Sequence, residues 1–240
     1  MGAYSVEGIV LRHADYREND RMLTLLTPHG RVDALSRGCK RPKSPLLPGS
    51  EVFVLANYEL VTTKNHAIVA SCLLRDSFYD LRLDIDKLSC AAYMANICEA
   101  TVQPDENAQR PFLLLARALG YLSYRDYAPR AVLCAFLLHY AVAMGYKPRL
   151  NHCVVCGQAI APGAGALLDI EQGGVICPAC ASQMLRGSAL KYNELHWLRE
   201  ALVKGVKLDL PAEDAPLPLM QAYLERRIEK KIPKLMALHL

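Results

Sequence analysis

The stretch Arg21-Met22-Leu23-Thr24-Leu25-Leu26-Thr27-Pro28-His29-Gly30-Arg31-Val32-Asp33-Ala34-Leu35-Ser36 decides the first half of the fold. Two runs rich in Leu, Val and Thr flank Pro28-His29-Gly30, whose breakers suit a tight turn. Three further runs of this kind, 4–11, 51–60 and 66–74, lie nearby with no helical period between them. Five short strands in this order predict a small β-barrel of the OB type; an SH3-like barrel is the other arrangement the pattern allows. Phe53 and Tyr58 fall on opposite pleat parities of one run, so at least one of them belongs to the core.

Beyond residue 76 the period changes. Leu88, Ala91, Ala92, Ala95, Cys98 and Val102 recur at three- and four-residue spacings, which predicts a helix over 85–102 that Pro104 stops. A second helix is expected over 112–122, and Pro129 opens a third that runs to about 144, ahead of Gly145 and Pro148. Two more are expected over 190–204, closed by Gly205, and 217–232, closed by Pro233. These helices are apolar over much of their surface and need one another for burial, which predicts a single bundle. The apolar run 131–144 is shorter than the roughly 20 residues a bilayer span requires. It reads as a buried core helix in which His139 is hydrogen-bonded rather than catalytic. A short stiff connection is expected over 208–218, with Pro211, Pro216 and Pro218.

Cys153-Val154-Val155-Cys156 and Cys177-Pro178-Ala179-Cys180 form two CxxC pairs separated by 20 residues. This is the spacing of a four-thiolate zinc site, since each tight CxxC turn places two sulfurs on one edge of a tetrahedron. One structural zinc is expected on Cys153, Cys156, Cys177 and Cys180, with iron the competing ion. His152 adjoins a cage that is already full, and four thiolates leave no open position for water. Cys39, Cys72, Cys90, Cys98 and Cys134 are scattered singly, as thiols that act as small hydrophobes are. With no disulfide framework and no secretory signal at the N-terminus, a cytoplasmic location is expected. The resulting fold class is α+β: an N-terminal OB-type barrel over 1–76 and helices over 77–150 and 183–240. A zinc module over 151–182 is inserted between the helices.

The formal net charge is only +4. Its placement is more informative: residues 34–50 carry Arg37, Lys40, Arg41 and Lys43 and no acid. In a barrel of this type a loop of cations suits the phosphates of a nucleic acid, against the plainer reading of a solvated loop. Arg12, Arg17, Arg21 and Arg31 extend the patch, against the reading in which Asp15, Glu18 and Asp20, interspersed among the first three, simply pair with them. Near the C-terminus, residues 225–231 alternate Glu225 and Glu229 with four cations. They read as a salt-bridged helix face, or else as a dock for an acidic peptide or DNA. No GxxxxGK[ST], HExxH or GxSxG motif occurs, so a binding protein rather than an enzyme is expected.

Several segments in this order resemble the RecO family of bacterial DNA repair proteins. They are Glu7-Gly8-Ile9-Val10-Leu11, then Tyr16-Arg17-Glu18-Asn19-Asp20-Arg21 leading into Leu23-Thr24-Leu25-Leu26-Thr27-Pro28, and Gly30-Arg31. Arg37-Gly38 with Lys40-Arg41-Pro42-Lys43-Ser44 follows, and the two cysteine pairs with Gly157 complete the series. The resemblance implies a non-catalytic recombination mediator of the RecF pathway that binds single- and double-stranded DNA and anneals complementary strands. It implies work with RecR in loading RecA onto DNA covered by single-strand-binding protein, whose acidic C-terminal tail is a further partner. Arg37, Lys40, Arg41 and Lys43 would then hold phosphates, and the expected location is the bacterial cytoplasm, at the nucleoid and not at a membrane. The alternative from another class is a zinc-stabilised scaffold that binds proteins without touching DNA.

Overall fold

The computed structural model describes residues 2–64, 66–183, 187–205 and 210–233, so Leu208 and Asp209 of the expected stiff connection lie outside the described residues. These residues group into two compact units, one made of 2–124 with 232–233 and the other of 125–231.

Five strands build the first unit: β1 (Ala3–Arg17), β2 (Asp20–Thr27), β3 (Gly30–Ser36), β4 (Leu55–Thr62) and β5 (Ala67–Asp76). They close in the order β1-β2-β3-β5-β4, with β1 pairing β4 through its first half and β2 through its second. The parallel pairing of β3 with β5, Ala34 beside Ala67 and Leu35 beside Ile68, completes the OB arrangement. Alternation along the strands sends Val6, Val10, Leu23, Leu25, Ala56, Tyr58 and Leu60 inward to one core.

Two strand boundaries differ from expectation by several residues. β1 continues six residues past Leu11, because Arg12–Arg17 pair with β2 in a long hairpin. The expected strand 51–60 starts only at Leu55, because Phe53 adopts a left-handed conformation (φ 72°) that breaks the extended geometry. Its amide donates to the Val10 carbonyl at 2.8 Å, folding this turn against β1. Phe53 and Tyr58 are both buried.

Helices α1 (Ile85–Thr101) and α2 (Gln109–Tyr124) belong to the same unit, and α1 packs on β1, β2 and α2. Asp84 caps α1 by accepting from the amides of Asp86 and Lys87. The link between α1 and α2 grips the β2–β3 turn: Arg31 N donates to Gln103 O at 3.1 Å and Ala108 N to Pro28 O at 3.0 Å.

In the second unit α3 (Pro129–Ala143) is buried on nearly all sides and packs against α5 (Tyr192–Lys204) and α6 (Leu217–Ile228). His139 Nε2 lies 2.9 Å from the Ala201 carbonyl, a hydrogen bond that accounts for its place in an apolar helix. Glu194 accepts from the Lys191 amide at 2.7 Å and closes the first turn of α5. Between α3 and α5 lie β6 (Ala166–Asp169), β7 (Gly174–Ile176), the single turn α4 (Pro178–Ala181) and β8 (Ser188–Leu190), with the strands ordered β7-β6-β8.

The last helix ends at Ile228, short of Pro233, because Glu229 turns left-handed (φ 54°) and Lys230 N returns to Glu225 O at 3.2 Å. Its cations do not simply pair along the helix. Arg226 forms a bidentate pair with Glu171 at 2.7 and 3.0 Å, and Arg227 donates to the carbonyls of Ile170 and Glu171. The Arg227 guanidinium also packs over the rings of Tyr146 and Tyr223, so α6 holds the β6–β7 turn.

Within the barrel the Tyr58 hydroxyl donates to the Gly49 carbonyl at 2.7 Å, a fully buried bond that ties the long loop to the core. Tyr58→Phe leaves that carbonyl without its partner and is expected to cost about 1–3 kcal/mol. Chemical denaturation checks this, and an unchanged midpoint would refute the assignment.

Candidate nucleic-acid interface and metal centre

The segment between β3 and β4 is an ordered succession of turns. Arg41 N donates to Gly38 O, Ser44 N to Arg41 O, Leu47 N to Ser44 O and Ser50 N to Leu47 O, at 3.0–3.3 Å. Each step closes one turn on the next, so prolines 42, 45 and 48 shape the loop rather than disorder it. Its start is pinned to the β1–β2 hairpin, where Gly38 N donates to Asp20 Oδ1 at 2.7 Å and Lys40 N to Asn19 O at 3.1 Å. Cys39 is fully buried beneath the loop, and Leu46 packs on the barrel core. At its end Ser50 is a junction: its hydroxyl donates to Leu46 O and meets Ser36 Oγ at 2.9 Å.

This scaffold leaves Arg37, Arg41 and Lys43 exposed, with Lys43 in a left-handed turn position (φ 63°). Lys40 is placed differently. Its ammonium donates to Asp15 at 2.8 Å and holds that carboxyl below the ordinary carboxylate range. Arg21 is mostly buried and donates to Glu51 Oε1 at 2.7 Å and to Ser50 O at 3.2 Å. Arg31 donates to the Glu99 carbonyl of α1 at 2.8 Å. Arg17 is exposed at the hairpin tip, its guanidinium 5.5 Å from the centroid of the Tyr16 ring. Arg12 pairs with the Glu99 carboxylate at 2.8 Å, and the other seven cations divide by environment. Arg17, Arg37, Arg41 and Lys43 face solvent, while Lys40, Arg21 and Arg31 make contacts that hold the loop and hairpin in place.

Across from the loop, β5 supplies a surface that the strand pattern did not reveal. A bulge between Ser71 and Val69 leaves Ala70 without a partner on β4, and Ala70 and Ser71 are consecutively exposed. Loop and strand enclose a groove of about 420 Å³, with Arg37 and Arg41 on one side and Ala70 and Cys72 on the other.

In the second unit, Cys153, Cys156, Cys177 and Cys180 converge so that their sulfurs all lie within 4.8 Å of one another. The first pair sits on a knuckle closed by Gly157 N donating to Cys153 O at 2.9 Å; β7 and α4 deliver the second pair. A tetrahedron with metal–sulfur bonds of about 2.3 Å has edges of about 3.8 Å, and the Cys156 and Cys177 sulfurs are 3.8 Å apart. The Cys177 amide also points at Cys153 Sγ, at 3.3 Å. Burial raises the Cys153 thiol, but amides of Cys156, Cys177 and Val155 outweigh it and bring the thiol down to about 6. Hydrogen bonds with Cys177 and Cys156 push Cys180 up to about 12. Four thiols this close together form a site able to hold a metal ion. His152 is exposed and lies outside this group. Among the described residues no helix is long and apolar enough to cross a membrane.

Comparison with known proteins divides the chain after the barrel, ahead of α1, rather than between α2 and α3. Residues 1–78 match the family model for the recombination protein O N terminal, and residues 82–236 match that for its C terminal. The chain is 27% identical over 238 residues to a DNA repair protein RecO of Moorella thermoacetica, covering 96% of this chain and 88% of the relative. With a protein of the same name from Roseiflexus it shares 30% identity over 233 residues, or 95% and 82% of the two chains. With another from Alkaliphilus metalliredigens it shares 33% over 175 residues, or 72% and 70%. The barrel, the helices, the convergent cysteines and these matches along nearly the whole chain establish that the protein belongs to the RecO family of DNA repair and recombination proteins.

Proposed function

We propose that this chain is a non-catalytic recombination mediator that binds single- and double-stranded DNA and brings complementary strands together for annealing. The observation that carries this reading is the loop: Arg37, Arg41 and Lys43 are exposed on a hydrogen-bonded scaffold with no carboxylate among residues 34–50. Cations held in advance on a rigid support lose little entropy on meeting phosphates, and their affinity comes from counterion release. Arg17 extends this surface along the hairpin. Lys40, Arg21 and Arg31 contribute mainly by positioning it. Neutralising the phosphates lowers the repulsion between two strands and lets them approach. By family, the partners are RecR, RecA and the acidic C-terminal tail of single-strand-binding protein, met through the helices, at the nucleoid in the bacterial cytoplasm.

In the same reading the cysteine cluster holds one zinc ion. Its chemistry there is coordination alone, because four thiolates fill a tetrahedral shell and leave no position for a reacting water. The four side chains thereby staple the knuckle after Asn151 to the turn before β8, so the ion supports folding rather than strand exchange.

Replacing Arg37, Arg41 and Lys43 together by Ala is expected to flatten the slope of log K against log salt for single-stranded DNA by about 2, at roughly 0.7 per phosphate contact. Lys40→Ala should change it less. An unchanged slope in the triple variant would sink the loop assignment, and no measurable DNA binding by the wild type would favour a scaffold that binds only proteins. Protein purified without added metal should carry about one zinc per chain. Cys177→Ser should lose it and lower the unfolding temperature, while a variant that keeps a full equivalent of metal contradicts the four-thiolate site.

A further inference from the structure

We propose that the groove between the loop and β5 receives one unstacked base of a single strand, with the adjoining phosphates on Arg37 and Arg41. The inference rests on the phosphate-binding reading of the loop and adds to it a reason for preferring single strands.

Three features of the groove point to a base. Its chemistry is divided: two guanidinium groups stand at one side, while Pro42, Pro45, Leu46, Ala70 and Cys72 supply an apolar lining. No carboxylate borders it, so an anion at its edge meets only positive charge. Its volume, about 420 Å³, falls within the range of clefts that receive small-molecule ligands, which is room for a base. A phosphate alone would leave the apolar part unused, and an apolar peptide would leave the guanidinium groups unused. A nucleotide uses both.

The Arg41 side chain lies against the backbone of the loop. Gly38 is left-handed (φ 64°), and a Cβ there would stand 3.4 Å from Arg41 Cδ. The Arg41 side chain thus runs beside Gly38, and its planar, exposed guanidinium can stack on a base face. Opposite, the bulge turns Ala70 and Ser71 outward together, and their small side chains leave depth where larger ones would fill it. Cys72, half-buried, has its sulfur 3.8 Å from Pro45 O and closes the end of the groove. Duplex bases are paired and stacked and cannot enter. A single strand can turn one base in at modest expense.

The test compares full-length protein binding to oligothymidylate and to an abasic oligonucleotide of equal length, which carries the same phosphates without bases. The wild type is expected to favour oligothymidylate about tenfold, the size of one stacking contact. Ala70→Leu, which fills the groove, should bring this preference close to one while leaving the salt slope intact. In wild-type protein, bound oligothymidylate should slow maleimide modification of Cys72, followed by peptide mass mapping, and the abasic polymer should not. Equal binding of the two polymers, or Cys72 modification unaffected by oligothymidylate, would overturn the base pocket and leave the loop's phosphate role standing. An unchanged salt slope in the variant lacking Arg37, Arg41 and Lys43 would instead remove the phosphate reading on which the pocket rests.

Discussion

The hydrogen bond from the Tyr58 hydroxyl to the Gly49 carbonyl joins the barrel's interior to the loop that carries the exposed cations. Tyr58 is fully buried on β4, and its burial drives its ionisation far above the usual phenol range, so it remains a neutral donor. Gly49 can approach because it has no side chain; a Cβ there would collide with Cys72 Sγ on β5. The end of the loop is thus fixed against two strands at once. Ser50 continues the same lock through Ser36, Leu46 and Arg21. Because these contacts sit at one end of the succession of turns, and the Asp20 and Asn19 contacts at the other, the cations between them have a defined place.

In the proposed reading, that arrangement lets so modest a net charge serve nucleic-acid binding. A floating loop with four cations would lose conformational freedom on meeting a strand. Here the backbone has lost it already, and one of the four, Lys40, is part of the support through Asp15. The exposed set is smaller than the sequence suggested and more organised. The same rigidity makes a groove possible, since a mobile loop could not hold an open space against β5.

The second unit solves a different problem. A long segment, 144–191, runs between α3 and α5, and among its described residues it has only short strands and one helical turn. Its apolar content is low relative to α3, and it depends on specific ties: Arg226 and Arg227 on the β6–β7 turn, Arg199 on the Leu150 carbonyl at 2.7 Å, and the four sulfurs. A metal-capable cluster suits such a segment, because one ion can replace the many contacts that a small module cannot bury.

Local pattern alone determined much of this protein. Strands in the first 76 residues, the helices after them and the pairing of four cysteines were legible because period and spacing are properties of neighbouring residues. The acid-free loop was legible for the same reason. What only the tertiary structure decided depends on residues distant in the chain: the extension of β1 to Arg17 by pairing with β2, the left-handed turn at Phe53, and the end of α6 at Glu229. So too with the cations. Arg21 meets Glu51, Arg31 meets Glu99 and Arg226 meets Glu171, and no spacing rule relates those positions. Composition says which charges exist; the fold, by bringing distant acids and carbonyls to some of them, decides which are left facing solvent.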